Sequence, residues 1–187
     1  MRITKEMMAV KDKWLEKELP GKEATKIGTM GTGYDVFKVE FSSEDNPAIT
    51  YIVYALFPSI HYLQPRLAVP RRMIGYIQFN GRTDTATVSY SQLHYDYLGI
   101  GLGKVLYKIA ANDLLKTYQC VQSDVVRSPR AEGVWKSLCR TNPEMVSKVD
   151  SFGSIYPSPL RYKIQGPGSL RRRPVRVRSH RRKQQEQ

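Results

Sequence analysis

The sequence predicts an α+β fold in which a mixed, mainly antiparallel central sheet is flanked by helices. Four segments between Tyr34 and Leu93 are rich in β-branched and aromatic residues and are separated by turn residues, as neighbouring antiparallel strands are. Three alternate glycines follow the last of these segments, and a one-sided helical pattern begins among them. Farther along, Ser128 before Pro129 indicates the start of another helix.

Composition limits the class of protein. The chain has 187 residues, of which 41% are hydrophobic, and this is enough for one domain with one core. No apolar run approaches the roughly 20 residues that span a bilayer, and the first residues carry scattered charges. We therefore expect a cytoplasmic protein with no membrane partner. The only two cysteines, Cys120 and Cys139, and three dispersed histidines predict neither a disulfide framework nor a metal site.

The first elements are a helix and a glycine-rich segment. Apolar residues spaced by three and four predict a helix over residues 4–19 that ends at Pro20; they are Ile3, Met7, Val10 and Trp14. Residues 28–33 contain three glycines but precede a strand instead of following one. This arrangement predicts a flexible lead-in, with a lid over a bound ligand as the alternative.

The remaining elements follow local signals. Strands are predicted at 34–41, 49–57, 72–79 and 85–93. Asn80-Gly81 is predicted to be the hairpin turn between the last two, and residues 58–70 an irregular connection. In the last of these, alternation places Val88, Tyr90 and Gln92 on one face and Ser89, Ser91 and Leu93 on the other. The second half is predicted to contain helices at 101–117 and 128–141 and strands at 120–126, 145–149 and 160–164.

The turn that contains Gly99, Gly101 and Gly103 is the first candidate binding site. Glycines let backbone N–H groups approach a ligand closely, and the following helix presents unpaired amides and the positive end of its dipole. Lys104 adds a positive charge, so we expect a phosphate-bearing ligand. The spacing is not GxGxxG and the preceding strands are predicted to be antiparallel, which disfavours a dinucleotide-binding fold.

Two segments resemble the GNAT acetyltransferase superfamily. Residues 98–103, Leu-Gly-Ile-Gly-Leu-Gly, have the glycine spacing of the family's pyrophosphate loop, and Leu93 stands where its strand pairs with the pantetheine arm of acetyl-CoA. Residues 128–135 keep the alanine and the apolar–aromatic pair of its second motif. The resemblance implies a GNAT-like sheet, acetyl-CoA as acyl donor, and a cofactor-binding set of Leu93, Leu98, Gly99, Ile100, Gly101, Leu102, Gly103, Lys104, Ser128 and Trp135.

The chain departs from that family where polar side chains are usual. Leu98 replaces an Arg or Gln, and Ser128 replaces an Asn but can still form hydrogen bonds. Trp135 replaces a Tyr that often protonates the departing thiolate, and an indole cannot act as an acid at neutral pH. The predicted phosphate contact therefore depends on backbone amides more than on a charged side chain.

No Asp or Glu lies on the predicted strand 85–93, where many members of the family keep their base. His94, at the end of this strand, has a suitable pKa range, and Tyr90 is the second candidate catalytic residue. A structural or surface role for His94 is the alternative. Acetyl transfer also depends strongly on placing amine and thioester together, so the absence of a carboxylate does not exclude an enzyme.

The end of the chain is a separate basic segment. Residues 170–187 carry +7 of the net charge of +13. We expect residues 1–165 to form the GNAT-like acyltransferase domain and residues 166–187 to form a disordered tail. Cations in such a tail contact phosphates without sequence preference, and the predicted nucleic-acid-binding residues are Arg171, Arg172, Arg173, Arg176, Arg178, Arg181, Arg182 and Lys183.

Together these features predict an acetyl-CoA-dependent N-acyltransferase that transfers an acetyl group to an amine of a protein or other acceptor by direct attack. The alternative is a catalytically inert GNAT-like binding protein that uses its basic tail to engage nucleic acid or an acidic protein. The acyl acceptor is not specified by any motif.

Overall fold

A single eight-stranded sheet runs through the computed structural model, which describes residues 1–8, 12–31, 33–59, 72–149 and 161–165. In the order β1-β2-β3-β4-β5-β6-β8-β7, neighbouring strands are hydrogen-bonded. The strands are β1 Thr25–Met30, β2 Tyr34–Ser42, β3 Thr50–Pro58, β4 Gly75–Arg82, β5 Thr85–Leu93, β6 Cys120–Gln122, β7 Val146–Val149 and β8 Arg161–Gln165.

All neighbouring strands are antiparallel except one pair. Strands β1 to β5 form an antiparallel meander, β6 lies parallel to β5, and β8 pairs antiparallel with both β6 and β7. The parallel pair arises because α2 (Leu102–Leu114) crosses over between β5 and β6. The predicted fold class, an α+β fold with a mixed and mainly antiparallel central sheet flanked by helices, is therefore confirmed.

Helices cover both faces of the sheet. Successive residues of a strand belong to different hydrophobic clusters because strand side chains alternate between the two faces; on β4, Tyr76 belongs to one cluster and Ile77 to the other. One cluster includes Leu15 of the short helix α1 (Lys13–Glu18), and the other includes residues of α2 and of α3 (Pro129–Thr141). No helix in the described ranges is long and apolar enough to cross a membrane.

The predicted N-terminal helix over residues 4–19 is wrong in its first half. A 3-10 turn occupies Lys5–Met7, and α1 begins only at Lys13. The backbone of Asp12 is extended, and its carboxylate accepts hydrogen bonds from the amides of Trp14 and Leu15 at 2.9 and 3.0 Å. This N-cap fixes the helix start at Lys13. The predicted stripe residue Val10 lies outside the described residues.

The predicted lead-in at residues 28–33 is also corrected. Residues 25–30 form β1, which pairs with β2 from Thr25↔Lys38 to Met30↔Tyr34. The turn of this hairpin includes Gly31, whose φ of 59° lies in the left-handed region. The glycines therefore belong to an edge strand and its turn.

The hairpin between β4 and β5 exists, but its turn lies three positions later than the predicted Asn80-Gly81. Both residues are inside β4, where Gly81 pairs with Ala86, and the turn is Thr83-Asp84. A Cβ on Gly81 would lie 2.1 Å from the Tyr118 hydroxyl oxygen. A tertiary contact with Tyr118 therefore requires the glycine that resembled a turn signal.

The other predicted elements are found with small changes of boundary. Strand β6 ends at Gln122 instead of residue 126, because the chain then turns away from the sheet toward α3. Helix α3 begins as predicted, with the Ser128 hydroxyl accepting a hydrogen bond from the Ala131 amide at 3.2 Å. The connection at 60–70 and the tail at 166–187 lie outside the described residues.

Candidate active site

The parallel strands β5 and β6 separate to form a wedge. They pair only from Thr85↔Cys120 to Thr87↔Gln122. Strand β5 then continues to Leu93, and no described strand pairs with that side of its last residues. Backbone groups along this edge are thus available to a ligand, since a strand edge presents unpaired N–H and C=O groups.

A first cavity of about 250 Å³ lies between the end of β5, the glycine turn and α3. Its wall is formed by residues of β4, β5, α2 and α3 and of the turn before α2. Its lining residues are Tyr76, Ile77, Ser91, Gln92, Leu93, Leu98, Gly103, Leu106, Tyr107, Ser128, Arg130, Ala131 and Val134.

A second cavity of about 200 Å³ lies deeper in the wedge, beside the loop that follows β6. Four residues line both cavities: Ser91, Tyr107, Ser128 and Ala131. The remaining lining residues of the second cavity are Val88, Ser89, Tyr90, Asp124, Val126, Arg127 and Trp135. The two cavities are therefore two parts of one cleft that meet at Ser91 and Tyr107.

A hydrogen bond joins these two shared side chains. The hydroxyl oxygens of Ser91 and Tyr107 are 2.9 Å apart, and either one can be the donor. Tyr107 is only 5% exposed. Burial raises the pKa of Tyr107 above its usual value, so the phenol keeps its proton at neutral pH. A protonated phenol at the junction of two cavities can donate a proton to a leaving group.

Sequence reasoning did not select Tyr107, although a signal was present. On a helical wheel with about 100° per residue, Tyr107 lies about 20° from Leu114, at the edge of the apolar face formed by Leu102, Leu106, Ala110 and Leu114. Both residues are buried in the structure. The buried face of α2 is therefore wider than the face formed by its aliphatic residues, and it includes Tyr107. As a result, the Tyr107 phenol lies against β5.

A β-bulge determines which residue of β5 faces Tyr107. Gln78 pairs with Tyr90 and Phe79 pairs with Val88, so Ser89 is the extra residue. The bulge shifts the alternation, and Val88 and Ser91 both turn toward α2. Tyr90 instead stacks on Tyr76, with ring centroids 5.8 Å apart. The predicted grouping of Val88 with Tyr90 on one face is therefore wrong.

The glycine turn has positive φ at two positions and leads directly into α2. Gly99 and Gly101 have backbone φ values of 80° and 90°, which residues other than glycine adopt only at an energetic cost. Gly101 is the N-cap of α2, and the first turn of α2 contains no acidic residue. The positive end of this helix is thus not neutralised by its own side chains.

The predicted cofactor-binding residues divide into two groups. Leu93, Leu98, Gly103 and Ser128 line the first cavity, and Trp135 lines the second. The others lie in the turn or the first turn of α2 without reaching a cavity wall: Gly99, Ile100, Gly101, Leu102 and Lys104.

Two members of the predicted set have contacts that limit their roles. The Lys104 ammonium donates a hydrogen bond to the Ser137 hydroxyl at 2.6 Å, so its charge is directed toward α3. Trp135 is 1% exposed and packs between Tyr107 and Tyr162, at centroid distances of 5.7 and 5.8 Å. Trp135 thus closes the base of the wedge.

The two candidate catalytic residues are not brought together. Tyr90 lines the second cavity and is 49% exposed. His94 follows β5 and lines neither cavity; its Nδ1 lies 3.5 Å from the Asp96 carboxylate, and its ring lies 4.4 Å from that of Tyr95. Their catalytic roles remain predictions.

Charged residues on the cleft walls were not predicted from the sequence. Arg130, in the first turn of α3, lines the first cavity and is exposed. Asp124 and Arg127, in the loop after β6, line the second cavity. No local pattern marks these residues, because they meet the end of β5 only when α3 packs beside α2.

No family model and no curated protein sequence matches the chain. Solved structures of acetyltransferases and acyltransferases are similar to it at low identity. The ribosomal-protein-S18-alanine N-acetyltransferase from Escherichia coli is 15% identical with a TM-score of 0.41, over 63% of this chain and 72% of that one. A cAMP-binding acyltransferase from Mycobacterium smegmatis is 14% identical with a TM-score of 0.45; the match covers 81% of this chain but only 51% of that longer chain.

A spermidine N-acetyltransferase chimera from Vibrio cholerae and hSSAT is 11% identical with a TM-score of 0.40, over 65% of this chain and 69% of that one. These likenesses are remote, and they concern the fold alone.

Proposed function

We propose that the protein is an acetyl-CoA-dependent N-acyltransferase that transfers an acetyl group to an amine by direct attack. One observation carries this proposal: the β5–β6 wedge contains a two-part cleft that extends from the glycine turn along an unpaired strand edge. A long, narrow donor with a phosphate at one end and a thioester at the other fits such a cleft.

The phosphate end is matched to the start of α2. The Leu98 amide donates a hydrogen bond to the Tyr95 carbonyl at 3.2 Å, so the amides that can meet an anion are those from Gly99 to Lys104. Anions bind where such amides and the helix dipole point outward. Leu98 supplies no charge, but Arg130 stands on the wall of the same cavity. We infer that Arg130 provides the cation that a side chain at position 98 would otherwise provide.

The thioester end is matched to the junction at Ser91 and Tyr107. The acceptor nitrogen, after losing one proton to solvent, attacks the thioester carbonyl carbon, the C–N bond forms and the C–S bond breaks. The sulfur leaves as a thiolate and takes the phenol proton of Tyr107. The new amide nitrogen releases its surplus proton, which restores the phenol through water. Of the two candidates named from the sequence, Tyr90 lines the second cavity, whereas His94 lines neither cavity.

Calorimetry with acetyl-CoA tests this proposal on the whole chain. The parent protein is compared with Leu98→Arg and Leu98→Glu, two variants of a half-buried wall residue with opposite charges. A hydrogen bond to a charged group contributes about 1.5–3 kcal/mol. We therefore expect Leu98→Arg to bind acetyl-CoA roughly 10- to 100-fold more tightly than Leu98→Glu, with the parent between them.

Two results would contradict the proposal: no acetyl-CoA binding by the parent, or equal affinities for all three proteins. A Leu98→Gln variant controls for the change of side-chain shape without charge. If acetyl-CoA binds, a radiolabelled transfer screen against protein, RNA and small amines identifies the acceptor class.

The second candidate is the catalytically inert GNAT-like binding protein that engages nucleic acid or an acidic protein. The observation that favours it is the charge of +7 on residues 170–187. It predicts nucleic-acid retention that weakens steeply with salt and needs no acetyl-CoA.

A further inference from the structure

We propose that the second cavity receives the acyl acceptor, and that the acceptor is a singly charged primary amine with an apolar body, its ammonium held by Asp124. This inference rests on the proposed function, since it assigns the substrate class of the same cleft. The supporting observations are the charges on the cavity wall, the hydrogen bonds that fix Asp124 and the exposed apolar residues at the rim.

The charge of the second cavity is set by Asp124. The charged residues on its described wall are Asp124 and Arg127. The Arg127 guanidinium donates a hydrogen bond to the Glu132 carboxylate at 2.8 Å and lies 5.2 Å from the centre of the Tyr162 ring. Its charge is therefore largely compensated outside the cavity wall.

Asp124 has no such compensation within the described ranges. One of its carboxylate oxygens accepts a hydrogen bond from the Val125 amide at 2.6 Å, and no described cation lies within ion-pair distance of it. The Lys136 ammonium lies 3.8 Å from Glu132, which is the same carboxylate that pairs with Arg127. The Lys136 side chain is 64% exposed. A carboxylate without a cation on a cavity wall favours a cationic ligand.

The position of Asp124 is fixed by its neighbours. Ser123 is fully buried, and its hydroxyl donates to the backbone carbonyl of Asp124 at 3.0 Å while accepting from the Tyr162 amide at 2.9 Å. Arg127 also donates a hydrogen bond to the same carbonyl of Asp124. A carboxylate held by a rigid loop loses little conformational freedom when it binds an ammonium group.

Apolar residues stand at the rim of this cavity. Val126 is 82% exposed and Tyr90 is 49% exposed, although both are large hydrophobic residues and both line the cavity. Ligand pockets commonly combine apolar side chains with a few polar groups that fix the orientation of the ligand. They fit the apolar body of an amine whose charged end reaches Asp124.

The same geometry disfavours a polyamine. One uncompensated carboxylate matches one ammonium group, and additional ammonium groups would lie beside Tyr90 and Val126 without an anionic partner on the described wall. Ser91 and Tyr107 line this cavity together with Asp124, and they also line the first cavity. An acceptor in the second cavity can therefore meet a thioester that enters from the first.

The test measures amine binding directly, by calorimetry on the full chain saturated with CoA. The probe is 2-phenylethylamine, and 2-phenylethanol is its uncharged counterpart. Asp124→Asn keeps an oxygen for the Val125 amide but removes the charge. We expect this variant to bind the amine roughly 10- to 100-fold more weakly and the alcohol equally well, because a hydrogen bond to a charged group is lost.

Two further variants separate charge from apolar contact. Asp45→Asn removes an exposed carboxylate far along the chain from the cleft residues and should change neither affinity. Val126→Ser should weaken amine and alcohol alike. Spermidine should bind no more tightly than 2-phenylethylamine.

The outcomes distinguish this inference from the proposed function. If the parent binds CoA but not the amine, or if Asp124→Asn binds the amine within twofold of the parent, the acceptor assignment is wrong and the donor site stands. If CoA does not bind, the proposed function fails; the same titrations on the CoA-free protein then still decide whether Asp124 holds an ammonium group.

Discussion

Replacing Tyr107 with phenylalanine tests the proposed chemistry most directly. Tyr107→Phe removes one hydroxyl, whose oxygen lies 2.9 Å from that of Ser91. The ring that packs edge-on against Trp135 at 5.7 Å is retained. The variant therefore changes proton donation at the junction of the two cavities while leaving the packing of α2 nearly intact.

The expected magnitudes for activity and for stability differ widely. A positioned acid contributes roughly 10²- to 10⁴-fold to a rate, and this corresponds to about 2.7–5.5 kcal/mol of activation free energy. Loss of one neutral hydrogen bond costs about 1 kcal/mol of unfolding free energy. We expect kcat for acetyl transfer to fall by roughly 100-fold or more, with the acetyl-CoA affinity unchanged and the fold retained.

The pH dependence supplies an independent readout. Because burial raises the pKa of Tyr107, the parent should lose activity only as pH rises above the usual range for a tyrosine. Tyr107→Phe should lack this alkaline loss. Ser91→Ala is the matched control, since it removes the partner but keeps the acid, and it should reduce kcat less. A kcat for Tyr107→Phe within threefold of the parent, with the alkaline loss preserved, would refute the role.

The remaining predictions concern stability and the tail. Trp135→Ala should lower the unfolding free energy by about 3–5 kcal/mol in urea denaturation, because it removes a fully buried ring. Burial and a hydrogen bond to a carboxylate raise the pKa of Tyr162 to about 12. The stability that this phenol contributes is present below pH about 10 and is lost as pH rises through its folded pKa, so Tyr162→Phe should show a shallower decline of unfolding free energy between those values. Deletion of residues 166–187 should abolish salt-sensitive nucleic-acid retention and leave acetyl-CoA affinity unchanged; loss of both would contradict the predicted domain boundary.

Local sequence signals predicted the elements that local physics controls. The Ser128 N-cap and the following proline start α3 where predicted, because both act within one turn of a helix. The glycine turn was predicted because positive φ at Gly99 and Gly101 is a local requirement. Where a residue serves a distant contact, the local signal was misleading, as with Gly81 beneath Tyr118.

The cleft was predicted only in part. Leu93 and Ser128 were placed from a resemblance to known motifs, and both line the first cavity. The hydrogen-bonded pair of Ser91 and Tyr107 was not, because it depends on a bulge in β5 and on the angle at which α2 crosses the sheet. Neither feature has a signal in the spacing of residues along the chain.

The sequence alone therefore determined the type and order of most elements, the glycine turn and the division between a moderately basic body and a strongly basic tail. These follow from periodicity, capping and charge, which are properties of neighbouring residues. Tertiary structure decided which side chains share the cleft. Asp124 faces the second cavity while the charge of Arg127 is compensated by Glu132, and that distinction exists only after β6, α3 and β8 have packed together.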